Sequence, residues 1–527
     1  MTTSHQHEPL YGETYPTNLD EQLSALESDE WIRRFTRSRR QLASDQFRPL
    51  YHFSSPENYM NDPNGLCQWK GRYHMFYQFR PTGVDRVHWG HTVSDDLIHW
   101  RDLPPAIFPT TERDCFSGQT LVEDDRVVAI YHGTQSGNAI ATASDPLLLN
   151  WEKHPNNPVI PGDNRSTTGA DITPNNEGYR VFDPCIWKED DGFYYSVSGT
   201  FQGGERGADA VGVDHLFRSE DLAEWEYLGP LMEDAFFAEP GEDAAVPNFW
   251  PIGNGKHMLL LFSHKRAGRY YIGEYDTESH RFRPETHGRM NYGPWVVGSL
   301  HAPSATIDDS GRCLGIFNMH TGKDSADTDE MMTLARRYWL DSDDSLMMAP
   351  VDEVESLRSD HRSAGPTYIA PNSEVPLDDI GGQSIEIRAT IAPQEAREVG
   401  LYVLRSPNGA ERTRISLYPN DHRRFDTSSL QIDVSESTQS GLVWARSPEI
   451  GPLKLSEGEP LELRVFIDRS IIEVFANDRQ CLTVRVYPHQ LSRGVSLFAR
   501  GGGARLLSLD CWQMRSIWPE LRTYEGR

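Results

Sequence analysis

The sequence lacks any run of about 18 apolar residues, the length a membrane-crossing helix needs, so no helical span is expected. Cysteine is scarce. None of the 6 (Cys67, Cys115, Cys185, Cys313, Cys481 and Cys511) stands in a CxxC pair. That spacing argues against a zinc site or a disulfide framework and for free buried thiols. Cations are short as well. Lys and Arg number 51 against 78 Asp and Glu, a formal net charge of −27. A surface of that sign repels phosphate backbones, so nucleic acid is not an expected partner. The start, Met1-Thr2-Thr3-Ser4-His5, has no basic region followed by an apolar run, so no standard secretory signal is read there. The expected location is the cytoplasm, or outside the cell by a route without a recognisable signal.

What is present reads as β-structure. At about 150 residues per domain, a chain of 527 suggests two to four units. Between Asn18 and Leu42, the residues Leu19, Leu23, Leu26, Trp31, Ile32 and Phe35 recur at helical spacing among charges. They predict one or two surface helices in a short N-terminal extension, residues 1–46. Beyond Phe47 helix signals nearly vanish. Short apolar runs recur at 73–77, 127–131, 193–197 and 257–262, bounded by Gly, Asp, Asn or Pro. That is the pattern of antiparallel hairpins. The runs cluster in units of roughly sixty residues, the texture of radially repeated four-stranded sheets. The expectation is an all-β chain: a propeller over 47–345, a linker over 346–365 and a β-sandwich over 366–519. In the last unit, 384–391 and 461–467 alternate strictly, as strands with one buried face do.

Three loop acids stand out, each entering a strand. Asp62 lies in Asn61-Asp62-Pro63-Asn64-Gly65, before the strand 73–79. Asp183 lies in Phe182-Asp183-Pro184. Glu242 lies in Glu239-Pro240-Gly241-Glu242-Asp243, before the apolar run 257–262. Acids that enter successive sheets of a ring can converge on one central funnel. Glycoside hydrolysis needs two carboxyl groups in different protonation states, about 5–5.5 Å apart in a retaining enzyme. A third can raise the acid's pKa by like charge. No metal or cofactor is required.

These motifs resemble glycoside hydrolase family 32, the invertases, inulinases, levanases and related fructosyltransferases. The resemblance runs from about residue 48 to 516. It is carried by Tyr59-Met60-Asn61-Asp62-Pro63-Asn64-Gly65, by the block from Trp89 to Trp100, by Phe116-Ser117-Gly118, by His301-Ala302-Pro303-Ser304, and by the block from Asp468 to Asn477. It implies a five-bladed propeller followed by a C-terminal β-sandwich. It also implies Asp62 as nucleophile and Asp183 as transition-state stabiliser. The chain departs from the family at two places. Phe182 stands where the family has Arg, with Arg180 as a substitute from two residues away. Ungapped alignment puts Ala245 at the position of the acid/base Glu. Glu242 is then the expected acid/base, with Glu239 and Asp243 as rivals. Asn61, Gln78, Trp89, Phe116, Ser117 and Arg180 are expected around the sugar, Trp89 as an apolar floor. Asp468 and Glu473 are read as structural, as are His91, His99 and His264.

The expected activity is retaining hydrolysis of β-fructosyl linkages in sucrose, inulin or levan. A fructosyltransferase, including one that forms a cyclic difructose, is the alternative on the same scaffold. A fructan-binding protein without turnover is the second alternative. The expected partner is sucrose or a fructan, with no nucleic acid and no membrane, and the chain is expected to be a monomer or homodimer.

Overall fold

The computed structural model describes residues 14–162, 179–203, 206, 208–232, 238–324, 329–419 and 428–518. Two helices come first, α1 (Leu19–Glu27) and α2 (Glu30–Leu42). Asn18 and Asp29 cap them. Each side chain accepts from a backbone N–H one turn on, that of Glu21 at 3.0 Å and that of Ile32 at 3.1 Å. On α2, Trp31 and Phe35 are buried, and Arg39 forks onto Asp102 at 2.5 and 2.7 Å. The Arg39 guanidinium also lies 3.8 Å from the ring centre of Trp518. The helices are thereby pinned both to the first sheet and to the far end of the chain.

Five antiparallel sheets follow. The first holds β1 (Tyr59–Trp69), β2 (Arg72–Arg80), β3 (His88–Ser94) and β4 (Arg101–Ile107). The second holds β5 (Cys115–Val122), β6 (Val127–Gly133), β7 (Gly137–Ala143), β8 (Glu152–Lys153) and β9 (Ile160–Pro161). The third holds β10 (Pro184–Lys188), β11 (Tyr194–Gln202), β12 (Val211–Ser219) and β13 (Glu226–Pro230). The fourth holds β14 (Ala245–Gly253), β15 (Lys256–Ser263), β16 (Ala267–Asp276) and β17 (Arg281–Arg289). The fifth holds β18 (Leu300–Ile307), β19 (Cys313–Met319), β20 (Met331–Met332), β21 (Arg336–Leu340) and β22 (Leu346–Pro350).

First strands touch first strands. β1 packs on β5, β5 on β10, β10 on β14, β14 on β18, and β18 returns to β1. The chain just before β1 latches this ring. Ser54 bridges Met331, and the Met332 N–H donates to the Phe53 carbonyl at 2.8 Å. Sheets with neighbours on both faces lose the in–out alternation of a half-exposed sheet. Accordingly β3, β6 and β19 are buried along their whole length.

Two more sheets, of seven and six described strands, lie between Arg358 and Met514. Ile385, Leu401, Val465, Leu482 and Leu497 are part of their shared core. Strand Leu461–Asp468 buries Leu461, Leu463 and Val465, with Glu462 exposed and Arg464 half-buried between them. The two bodies meet at His52. Its Nδ1 lies 2.9 Å from Asp468 and its Nε2 3.1 Å from Glu473. Asp468 also accepts the backbone N–H groups of Leu50, Tyr51 and His52, and Glu473 accepts Leu334 N–H and Arg336. All three central side chains are fully buried. The structural role read for Asp468 and Glu473 is therefore a specific one: they receive the segment that leads into β1.

Candidate active site

Bulges build the site. Pairing slips between Met60 and Pro63 in β1, Cys115 and Gly118 in β5, Ala245 and Asn248 in β14, and Leu300 and Pro303 in β18. A bulge releases a residue from the ladder and re-aims its side chain. The residues released here include Asn61, Asp62, Phe116, Val246 and His301, and Asp183 immediately precedes β10. All six line one cavity of about 540 Å³.

Asp62 is buried. Its Oδ2 accepts Gln78 Nε2 at 3.0 Å and the Ser117 hydroxyl in a short hydrogen bond. Its Oδ1 lies 3.1 Å from His301 Nδ1, in a geometry that completes no hydrogen bond. Burial alone would push this carboxyl up. His301, Ser117 and the nearby His264 outweigh it and hold Asp62 below its ordinary value. Asp183 goes the other way. Burial comes first and the charge on Asp62 second, and together they raise it well above the usual range. One backbone N–H, from Val246 at 3.3 Å, opposes them, and Oδ1 has no hydrogen-bond partner among the described residues. The cavity thus presents two carboxyls shifted in opposite directions, Asp62 down and Asp183 up.

Of the other residues expected at the sugar, Asn61, Gln78 and Phe116 line the cavity. Three do not. Ser117 is fully buried behind Asp62 and acts through it. Trp89 is also fully buried, and its Nε1 donates to the Phe116 carbonyl at 2.8 Å. It supports Phe116 from behind, so it is not itself the floor. Arg180 lies over the Phe201 ring at 4.5 Å, outside the lining, and does not replace the guanidinium missing at Phe182.

Glu242 also falls outside the lining. It is buried in an ion pair with Arg269, and its Oε1 accepts the Glu239 N–H at 2.8 Å. Glu239 is held by Arg266 and Arg289. Neither glutamate lines the cavity that holds Asp62. The bulge of β14 falls at Ala245/Asn248, after the glutamate, and presents Val246 instead.

Several lining residues carried no role in the sequence reading. His301 belongs to a block noted there without a function. His264 was read as structural. Arg206 and Trp295 lie in no recognisable pattern. His264 is tied to Asp243, whose carboxylate accepts its backbone N–H at 2.7 Å and meets its Nδ1 at 2.6 Å. Burial would raise Asp243, but His264 and Arg206 hold it below its ordinary value. Among the described residues, no group of three or more His, Cys, Asp and Glu is placed to hold a metal ion. Nor is any helix among them long and apolar enough to cross a membrane.

The levanase of Bacillus subtilis (strain 168) is 27% identical, over 90% of this chain and 71% of its own length. Sucrose-6-phosphate hydrolase of Escherichia coli is 28% identical, over 89% of this chain and 95% of its own. The crystal structure of fructan 1-exohydrolase IIa from Cichorium intybus has the same fold, with a TM-score of 0.77 at 24% identity over 90% of this chain and 98% of that one. The glycosyl hydrolases family 32 N-terminal domain matches residues 52–350 and the family 32 C-terminal domain matches 353–513, so the two bodies described above fall one to each match. This chain is a glycoside hydrolase and belongs to glycosyl hydrolases family 32.

Proposed function

We propose that this glycoside hydrolase cleaves β-fructosyl linkages of sucrose or of a fructan such as levan or inulin, with retention of configuration. The observation that carries the reading is the pair Asp62 and Asp183, which line one cavity and are shifted in opposite directions. Asp62 attacks the anomeric carbon and forms a fructosyl-enzyme, which water then resolves. Asp183 hydrogen-bonds a sugar hydroxyl and stabilises the transition state. Phe116, Phe182 and Trp295 supply apolar walls for the ring. The names of the relatives, levanase and sucrose-6-phosphate hydrolase, support the substrate class. We read the ring of five sheets as a five-bladed propeller spanning 47–345, joined through 346–365 to a sandwich at 366–519.

The test is product analysis with sucrose, levan and inulin, with the anomer of the first-released fructose read by NMR. Release of the β-anomer is expected. Asp62→Asn should lower kcat by on the order of 10⁴-fold or more, as loss of a nucleophile does. Release of the α-anomer would overturn retention. Longer or cyclic fructosides in place of fructose would make the enzyme a transferase, and fructan binding without turnover would make it a binding protein.

A further inference from the structure

Retention requires one group that protonates the departing oxygen and then deprotonates water. Glu242, bound to Arg269 outside the cavity lining, does not meet that requirement. Among the described residues at the cavity, Asp183 is assigned above to the sugar hydroxyls, and one further pair can meet it. His264 lines the same cavity as Asp62, packed between Phe262 and Trp295 at ring-centre distances of 4.9 and 5.7 Å. Asp243 grips it twice, by the backbone N–H and by Nδ1, and the Asp243 side chain is almost completely buried. Two contacts to one carboxylate fix the ring's rotation. They also commit Nδ1 to the carboxylate, leaving Nε2 as the nitrogen that can exchange a proton.

We propose that His264, oriented by Asp243, is the general acid and base of this site; the assignment rests on the fructosidase reading above. In the first half-reaction the glycosidic C–O bond breaks as Asp62 bonds to the anomeric carbon. The proton on His264 Nε2 goes to the departing oxygen. In the second half, neutral Nε2 takes a proton from water. The water oxygen bonds to the same carbon, and the Asp62 carboxylate is released. The net change is addition of water across the glycosidic bond. Asp243 is a positioning residue. Its carboxylate offsets the imidazolium that exists before the first half and again after the second. The other charged and titratable groups facing His264 are Arg206, 3.4 Å from both its Nδ1 and Asp243, with His301, His320 and Asp62 nearby.

The experiment compares two substrates of the full chain. Sucrose has a poor leaving group that must be protonated. An aryl β-fructofuranoside such as the 4-nitrophenyl compound has one that departs unprotonated. For His264→Gln, kcat/KM on sucrose should fall on the order of 10²–10⁴-fold, the span general acid catalysis supplies, and on the aryl substrate less than about 10-fold. Azide should restore turnover of the aryl substrate and yield a β-fructosyl azide, because azide needs no base. Asp243→Asn should move the alkaline limb of the sucrose kcat/KM profile to lower pH, since the imidazolium loses its counter-charge. His264→Gln should remove that limb. Retained aryl turnover doubles as proof that the variant is folded. Full sucrose activity in His264→Gln, with Asp62→Asn inactive, would overturn the dyad and leave the fructosidase reading standing. Equal losses on both substrates would also overturn it, as would a selective sucrose defect in Glu242→Gln. Wild type inactive on both substrates would overturn the dyad together with the reading it rests on.

Discussion

At the scale of single residues, the site works by pulling two like groups apart. Asp62 has hydrogen-bond donors and Asp183 has almost none among the described residues, so under the same burial one is held below its ordinary value and the other rises above it. Ser117 is the sharpest lever on this difference, since it touches Asp62 but not the cavity. A hydrogen bond to a charged group contributes about 1.5–3 kcal/mol. Ser117→Ala should therefore raise the Asp62 pKa. The sign follows from its depressed value: the ionised nucleophile is lost earlier as pH falls, so the acid limb of kcat/KM moves to higher pH. A pH–rate profile checks this, and an unmoved limb would show that Ser117 only fills space. Both aspartates could be picked out of the sequence because each sits in a Pro-bearing turn before an apolar run. The fate of Glu242 could not. Its partner Arg269 lies 27 positions on, in another strand, and no local pattern reports that pairing.

At the scale of elements, the bulges matter more than the strands that carry them. A strand is visible in sequence because its apolar residues repeat. A bulge is a mismatch with a partner strand and has no period of its own. Helices α1 and α2 and the strands over 73–77, 127–131, 193–197, 257–262, 384–391 and 461–467 were therefore legible, whereas the turning-out of Val246 and His301 was not. The bulge in β5 is guarded by Gly118. A Cβ there would meet the Ile130 carbonyl oxygen at 2.0 Å and Tyr131 Cα at 2.6 Å. Gly118→Ala must push β5 away from β6, at a cost of about 1–3 kcal/mol. The urea midpoint should fall accordingly. Activity should fall further than stability accounts for, because Phe116 and Ser117 move with the strand. A variant with an unchanged midpoint would mean that the strands yield freely.

At the scale of the whole molecule, a buried ionic knot joins the two bodies. Burial would strip His52 of its charge, but Asp468 and Glu473 reverse that and raise it to about 9. Glu473 is raised by burial and then pulled down by Arg336 and His52 to about 2. The signs differ. The contribution of His52 is complete below its unfolded pKa of about 6.5 and is lost as pH rises through about 9. That of Glu473 is complete above about 4.5 and is lost as pH falls through about 2. Urea midpoints should thus be flat between about pH 4.5 and 6.5 and decline on both sides. His52→Ala leaves two buried carboxylates short of a counter-charge and should cost about 3–5 kcal/mol. It should also abolish the alkaline decline. A decline that persists in this variant would place its origin elsewhere. The fold class was legible at this scale because hairpin after hairpin repeats along the chain, but the knot was not: His52 and Asp468 are 416 positions apart.

That separation bears on how the molecule is made. The segment that latches the ring, from Leu50 to Ser54, finds its partners at Met331, Met332 and Asp468. A ribosome delivers these hundreds of residues later. Pairings so distant in the chain are slow to form. Until they form, the segment leading into β1 is not latched to the far side of the ring. The first sheet to be synthesised is thus among the last to be latched, and a nascent chain halted before the second body should hold the segment that leads to Asp62 without its Asp468 anchor.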